Sequence, residues 1–357
     1  MSDAVWISIT NATGMFGITF SLFSNCTLLA LILCKVSPVK GPYKSILIFF
    51  CCFTMFYSAV EMFLRPIIHI YDDTLFVMQR KWFQMSKFAS HLTTTMYCGC
   101  YAMSFVLFAL QFLYRYIATC MPQQVVKFQG IRFFFWIFGA FCIALSWESA
   151  AFFLFPQSDR TQKVFLNIVN QSYGLDANFV DYVPYRYFEN DEGTRKVIML
   201  NIIGIIQHVI IMLVSFGTLF YCAFKTYSTI SKHKGMSIKT KELQMQLFRA
   251  LAVQAAIPMI FMYAPLLFLY ACPLINLQLG ALANYQTIMG QLYPGVDPFA
   301  VLFLVNVYRR TLLNIICLRT TSLKESSIQE NSRKYEAAVS PRGDPCRPKS
   351  STVSPKC

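Results

Sequence analysis

Charge is scarce in this 357-residue chain: 13% of its residues are charged, about half the share found in soluble globular proteins. So little charge cannot cover a water-exposed surface, and lipid must cover part of it. The chain also lacks HExxH, GxSxG, a Walker loop and the Rossmann glycine spacing, so nothing in it argues for an enzyme. Its four histidines, His69, His91, His208 and His233, lie on separate segments without ligand spacing, and no metal or cofactor is implied. The thirteen cysteines form no CxxC pair and no zinc spacing. Most lie in apolar runs, where cysteine behaves as a small hydrophobe. No period of 20–50 residues repeats, which excludes an array. The N-terminus has no basic n-region and no small-residue cleavage site, so residues 1–11 are expected to be translocated rather than removed.

What is present is apolar length. Hydrophobic residues make up 56% of the chain, with 34 Phe and 19 Tyr. Seven runs reach the roughly 20 residues that span a bilayer core. They cover 12–34, 45–64, 93–113, 133–155, 197–224, 250–272 and 285–307. The fold class is an all-α, seven-transmembrane helix bundle occupying 12–307. After it, 309–319 set Leu312, Leu313, Ile315, Ile316 and Leu318 beside Arg309, Arg310 and Arg319. That predicts an amphipathic juxtamembrane helix over 308–320, with Cys317 a candidate for palmitoylation. Residues 321–357 are rich in Ser, Thr, Lys, Glu and Pro and are expected to be a disordered tail.

The net charge of +14 is distributed by side. Twenty-two of the 31 basic residues fall in 35–44, 114–132, 225–249 and the tail. The other nine are matched by nine carboxylates on the opposite side. Basic loops face the cytoplasm, which puts the N-terminus outside, the C-terminus inside, and attraction to anionic inner-leaflet lipid on the basic face. With no basic, aromatic-interleaved soluble segment, the positive charge reads as topology, and nucleic acid is not a partner. The largest outer loop, about 156–196, carries the sequon Asn170-Gln171-Ser172, an expected glycosylation site. The sequon at Asn11 abuts the membrane and is weaker. The one at Asn25 lies within the first helix.

Only three acids sit in apolar runs: Glu61, Glu148 and Asp297. Each is a functional candidate, because intramembrane charge is costly. Glu61 precedes Arg65 by one turn, and a local ion pair is its ordinary reading. Asp297 lies near the middle of the seventh helix between Pro294 and Pro298, whose missing N–H groups free carbonyls. That favours a polar switch cluster. Pro258 and Pro265 must kink the sixth helix, next to the basic 225–249 segment. Tyr114 and Arg115 close the third helix. The outer halves of the helices offer a candidate pocket of Tyr97, Tyr101, His208, Tyr263, Tyr270, Tyr285 and Gln286, or else ordinary inter-helix bonding.

Several strings resemble the nematode serpentine chemoreceptors of the Str type, a family of G-protein-coupled receptors. They are Lys40-Gly41-Pro42-Tyr43-Lys44, Arg65-Pro66-Ile67-Ile68-His69 and Leu113-Tyr114-Arg115-Tyr116. Further along stand Gln246-Leu247-Phe248-Arg249-Ala250-Leu251, Met262-Tyr263-Ala264-Pro265, Tyr293-Pro294-Gly295-Val296-Asp297-Pro298 and Tyr308-Arg309-Arg310. The resemblance covers roughly residues 5–320. It implies an odorant receptor in the ciliary membrane of a chemosensory neuron that drives chemotaxis. Its implied partners are a heterotrimeric G protein, the lipid bilayer, a receptor-trafficking protein and arrestin. Its implied ligand is a diacetyl-like, small volatile odorant. Arg115 would meet the G-protein network, with Arg309 and Arg310 in support.

Two departures from the wider rhodopsin-like pattern stand out. Tyr114 occupies the place of the acid before Arg115, so that motif's resting ion pair cannot form. Residues 156–196 hold no cysteine, so the usual disulfide to the third helix is impossible, and Cys98 and Cys100 are expected as free thiols. The outer halves of the third, fifth, sixth and seventh helices carry aromatic rings and hydroxyls without Lys, Arg or acid, which suits a neutral ligand of low mass. The competing reading is an odorant-gated channel or a multi-pass transporter. The odd helix count and the lack of an internal repeat speak against a transporter, and the charge bias speaks against a channel with an inside N-terminus.

Overall fold

The computed structural model describes residues 3–33, 41–191, 194–232 and 238–315. The helices are α1 (Asp3–Leu33), α2 (Pro42–Leu64), α3 (Lys87–Cys120), α4 (Ile131–Phe153), a short α5 (Asp159–Asn167) and α6 (Met199–Lys232). The next span is broken into α7 (Ile238–Pro258), a π turn (Met259–Tyr263) and α8 (Ala264–Ala271). The last is α9 (Tyr285–Leu304). Among the described residues six helices are long and apolar enough to cross a membrane, and seven when 281–304 is taken with 306–315. Helix α1 begins well ahead of the expected Ala12, so most of the supposed N-terminal segment is its first turns.

Burial sorts the helices. In α3, 83% of the apolar window is buried, against 22% in α4 and 28% in α6. So α3 is the central post, flanked by α4 and α6, while α1 packs on α9 and α2. Phe134, Phe135 and Phe138 on α4 and Ile206, Ile210 and Phe224 on α6 are all more than half exposed. Such surfaces demand an apolar solvent. Close approach of α1 and α9 rests on glycine: a Cβ at Gly17 would collide with the Gln291 carbonyl, and one at Gly295 with the Phe20 ring.

Proline shapes the last two spans. Pro298 has no N–H, so the Pro294 carbonyl loses its helical partner. Asn25 of α1 supplies one, its Nδ2 donating to that carbonyl at 2.9 Å while its Oδ1 accepts from Thr54 at 2.8 Å. The buried Asn25 sequon is thus a structural tie across three helices. Pro258 ends α7 and the π turn absorbs the break before Pro265, as the kink expectation requires.

The connections at one end of the bundle are not irregular. A sheet of three antiparallel strands, β1 (Ile67–Tyr71), β2 (Thr74–Arg80) and β3 (Val180–Arg186), closes one end of the bundle. Strands β1 and β2 form a hairpin whose two-residue loop is Asp72-Asp73, with Asp72 at φ 54°. Strand β3 pairs along the whole of β2, from Thr74 opposite Arg186 to Arg80 opposite Val180. Its hairpin tip is clamped by charge: Arg160 reaches Asp72 at 3.0 Å, and buried Arg186 lies 3.5 Å from Asp73. A second pair, β4 (Phe188–Asp191) and β5 (Thr194–Val197), leads into α6. The helical class holds, with these strands added at one end.

The chain forms two units, Met1–Arg309 and Arg310–Cys357. In the second, the described residues 310–315 are helical. Cys317 and the tail lie outside the described residues.

Candidate ligand cavity and helix-switch residues

Beneath the sheet lies a small cavity of about 30 Å³. The sheet roofs it with Ile68, Val77 and Tyr185, and the helices contribute Tyr97, Cys98, Tyr101, Trp147, Leu266, Tyr270 and Gln286. No lining residue carries a formal charge, and its few polar atoms are hydroxyls, a thiol, an indole N–H and an amide.

The hydroxyls are not equivalent. Gln286 Nε2 donates to the Tyr101 oxygen at 3.0 Å, which leaves the Tyr101 proton free to point elsewhere. Tyr185 spends its proton on the Cys98 sulfur at 3.7 Å. His208 stacks on Trp147 with centroids 3.8 Å apart, and its Nε2 lies 3.2 Å from the Trp147 carbonyl. A carbonyl only accepts, so Nε2 carries the hydrogen and Nδ1 is left to accept from the Tyr270 hydroxyl at 3.4 Å. His208 is therefore fully engaged behind the cavity wall and is not itself a lining residue. Tyr270 lines the cavity with its ring, its backbone carbonyl accepting from Tyr187 at 2.7 Å.

Tyr263 sits one layer deeper. It meets Tyr101 edge-on at 5.7 Å and Phe105 edge-on at 5.5 Å, and its hydroxyl bonds Ser104 at 2.8 Å. It is the last residue of the π turn, so the cavity floor touches the broken part of the sixth span. Tyr285 is 43% exposed and lies outside the cavity lining. Sequence reasoning missed the roof residues Ile68, Val77 and Tyr185, and also Trp147.

Further along the bundle, Asp297 is buried and accepts from Gln254 Nε2 at 2.8 Å. That bond joins α7 to α9 one turn from Pro258. At the far end Arg115 is buried, its Nη1 donates to Gln244 Oε1 at 2.8 Å, and its guanidinium lies 4.1 Å over the Tyr43 ring. Tyr114, in the acid's place, stacks on Tyr43 at 5.6 Å and meets Phe128 edge-on. A neutral amide from α7 thus takes up the arginine that the absent acid cannot. Arg309 and Arg310 are exposed, and Arg309 Nη2 bonds the Asn306 side chain at 2.7 Å. Asn170 is exposed on the short π turn after α5. Asn11 instead accepts from Arg80 Nη2 at 2.6 Å. Burial, then the nearby Arg65, holds the Arg80 guanidinium down at about 10.

The Glu61–Arg65 ion pair does not form among the described residues. Arg65 caps α2 in the left-handed region (φ 45°), and its guanidinium turns away to lie 3.9 Å over Trp82. Glu148 is half-buried against Gly99. Cys98 and Cys100 are free thiols. The long loop is anchored to α3 instead through the β2–β3 pairing and the Tyr185–Cys98 contact.

Comparison with known proteins agrees with this architecture. The squid rhodopsin crystal structure aligns with a TM-score of 0.55 at 15% identity, over 84% of this chain and 77% of that one, a likeness of fold alone. Serpentine receptor class r-10 of Caenorhabditis elegans is 35% identical, over 91% of this chain and 96% of its own length. Its counterpart in Caenorhabditis briggsae is 33% identical, over 95% and 98%. The model of the serpentine type 7TM GPCR chemoreceptor family Str matches residues 10–313. With that match over most of its length, the chain belongs to the Str family of seven-transmembrane G-protein-coupled chemoreceptors, a family of receptors and not of enzymes.

Proposed function

We propose that this receptor detects a small, neutral, volatile odorant of the diacetyl kind in the cavity under the sheet, and signals through a heterotrimeric G protein at the Arg115 end. The observation that carries the reading is the small, uncharged cavity in which the Tyr101 hydroxyl accepts from Gln286 and keeps its own proton uncommitted. A ketone or ester needs a single donor and an otherwise apolar wall. A charged ligand would be desolvated without a counter-ion. About 30 Å³ is room for little more than water, so the ligand has few heavy atoms and enters by displacing wall side chains such as Tyr185 and Leu266. Tyr101 bears on Tyr263, and Tyr263 closes the π turn. Ligand binding would therefore rotate the break in the sixth span, swing α7 outward and part Gln244 from Arg115.

The charge bias supports the sheet end outside and the Arg115 end in the cytoplasm. In that orientation Asn170 is glycosylated and Cys317 is available to a palmitoyl transferase. Ciliary placement, chemotaxis, and service by a trafficking protein and by arrestin follow from the family reading. The test is an odorant panel on cells expressing the chain, with a calcium or cAMP readout. A response to small ketones or esters supports the proposal. A potent response to a charged amine or peptide, with none to any volatile, overturns it.

A further inference from the structure

A second cavity, about 200 Å³, lies between α1, α2 and α9. Its depth is set by Glu61, which is 1% exposed. Glycine at 290 makes room for this acid, since a Cβ there would stand 3.0 Å from Glu61 Oε1. The Tyr57 and Tyr97 hydroxyls come near the carboxyl without the geometry of a hydrogen bond, and neither carboxyl oxygen has a partner among the described residues. Nearer the mouth stands Arg65, whose Nη2 donates to the Lys81 carbonyl at 3.1 Å and whose guanidinium lies over Trp82, which leaves its buried Nε unpartnered. Gln291 turns its amide to Gly14, and Met15 and Trp82, both more than half exposed, stand at the opening.

An intramembrane acid left unpaired is expensive, and so is a buried arginine nitrogen. The side chains that would ordinarily cancel each other are held apart by the left-handed turn at Arg65. A simple cation entering the cavity would satisfy Glu61 but pass Arg65. A simple anion would do the reverse. A small molecule carrying both charges satisfies both.

We infer that the cavity is a second ligand site for a small zwitterion of the α-amino acid class, with its ammonium on Glu61 and its carboxylate on Arg65. Tyr97 lies beside Glu61 and also lines the cavity under the sheet. Occupancy of one cavity is thereby communicated to the other through a single shared ring. The site does not depend on the odorant reading, because a receptor silent to every volatile would still bind the zwitterion.

The test is thermal unfolding of the full chain purified into lipid nanodiscs, with free L-alanine as the probe. A hundredfold excess over its dissociation constant should raise Tm by roughly 5 °C. Ethylamine and propionate, each carrying one of the two charges, should shift it by less than about 1 °C on the same scale. Glu61→Gln is nearly isosteric and should unfold cooperatively while losing the alanine shift, and Arg65→Gln should lose it as well. If Glu61→Gln does not fold, Gly14→Ala carries the test. Its added Cβ would lie 3.3 Å from Gln291 Nε2 and 3.8 Å from Met62 Sδ, narrowing the cavity without a collision, and the alanine shift should fall. No shift in the wild type, as for a cavity holding water only, overturns the inference. So does a shift that survives in the variants or is matched by ethylamine.

Discussion

Replacing Gln244 with alanine should make the receptor signal without ligand. Arg115 Nη1 donates to Gln244 Oε1 at 2.8 Å, and this bond ties α3 to α7 at the end of the bundle away from the sheet. A hydrogen bond to a charged group is worth about 1.5–3 kcal/mol when buried. Gln244 is only partly buried, so water replaces some of that on release, and about 1 kcal/mol is the reasonable figure. One kcal/mol is roughly a fivefold change in the equilibrium between tied and open arrangements. Gln244→Ala should therefore raise basal cAMP or calcium signalling by about that factor at equal surface expression. Arg115→Ala should instead silence the receptor, because it removes both the tie and the group proposed to meet the G protein. Basal signalling unchanged in Gln244→Ala, with normal expression, would refute the role given to this bond.

Two further outcomes follow from the same geometry. Asn25→Ala strands the Pro294 carbonyl in the apolar interior, at about 1–3 kcal/mol. It should lower Tm by several degrees in differential scanning fluorimetry, while Thr54 keeps its bonds to the Phe50 and Cys51 carbonyls. Asn170→Gln should remove a glycosidase-sensitive mobility shift from protein made in animal cells, and no change in mobility would count against the proposed orientation.

The helical frame was legible because bilayer thickness dictates run length, and each apolar run states itself locally. Asp297 stands out for a similar reason, because charge in such a run has to be explained, whereas Arg115 stands out only through the resemblance of the Leu113-Tyr114-Arg115-Tyr116 string. The sheet was not read, although its hairpin was written in the sequence. Ile67–Tyr71 and Thr74–Arg80 flank Asp72-Asp73, a two-residue turn signal between strand-forming runs. Between two long apolar spans so short a hairpin reads as loop. Strand β3 was harder, because its partner β2 is about a hundred residues away and nothing local marks the register. The roof residue Tyr185 was invisible for that reason. The Glu61–Arg65 pairing failed for a different one. Helical spacing predicts i,i+4 contact only while the backbone stays helical, and Arg65 is where it does not. His208 stands out in the sequence as a polar group in an apolar helix, but its bonding by Trp147 and Tyr270, which keeps it behind the cavity wall, can be read only from coordinates.

The central claim is that a neutral ligand sits under the sheet with its carbonyl on Tyr101. The most direct measurement is a dose–response series of small ketones and esters on wild-type receptor and on Tyr101→Phe, at matched surface expression. Phenylalanine keeps the ring and its edge-on contact with Tyr263 and removes only the hydroxyl. Loss of one neutral hydrogen bond is worth about 0.5–1.5 kcal/mol, so the half-maximal concentration should rise about 2–12-fold with the maximal response retained. An unchanged half-maximal concentration in Tyr101→Phe, for every volatile that activates the wild type, would contradict the account.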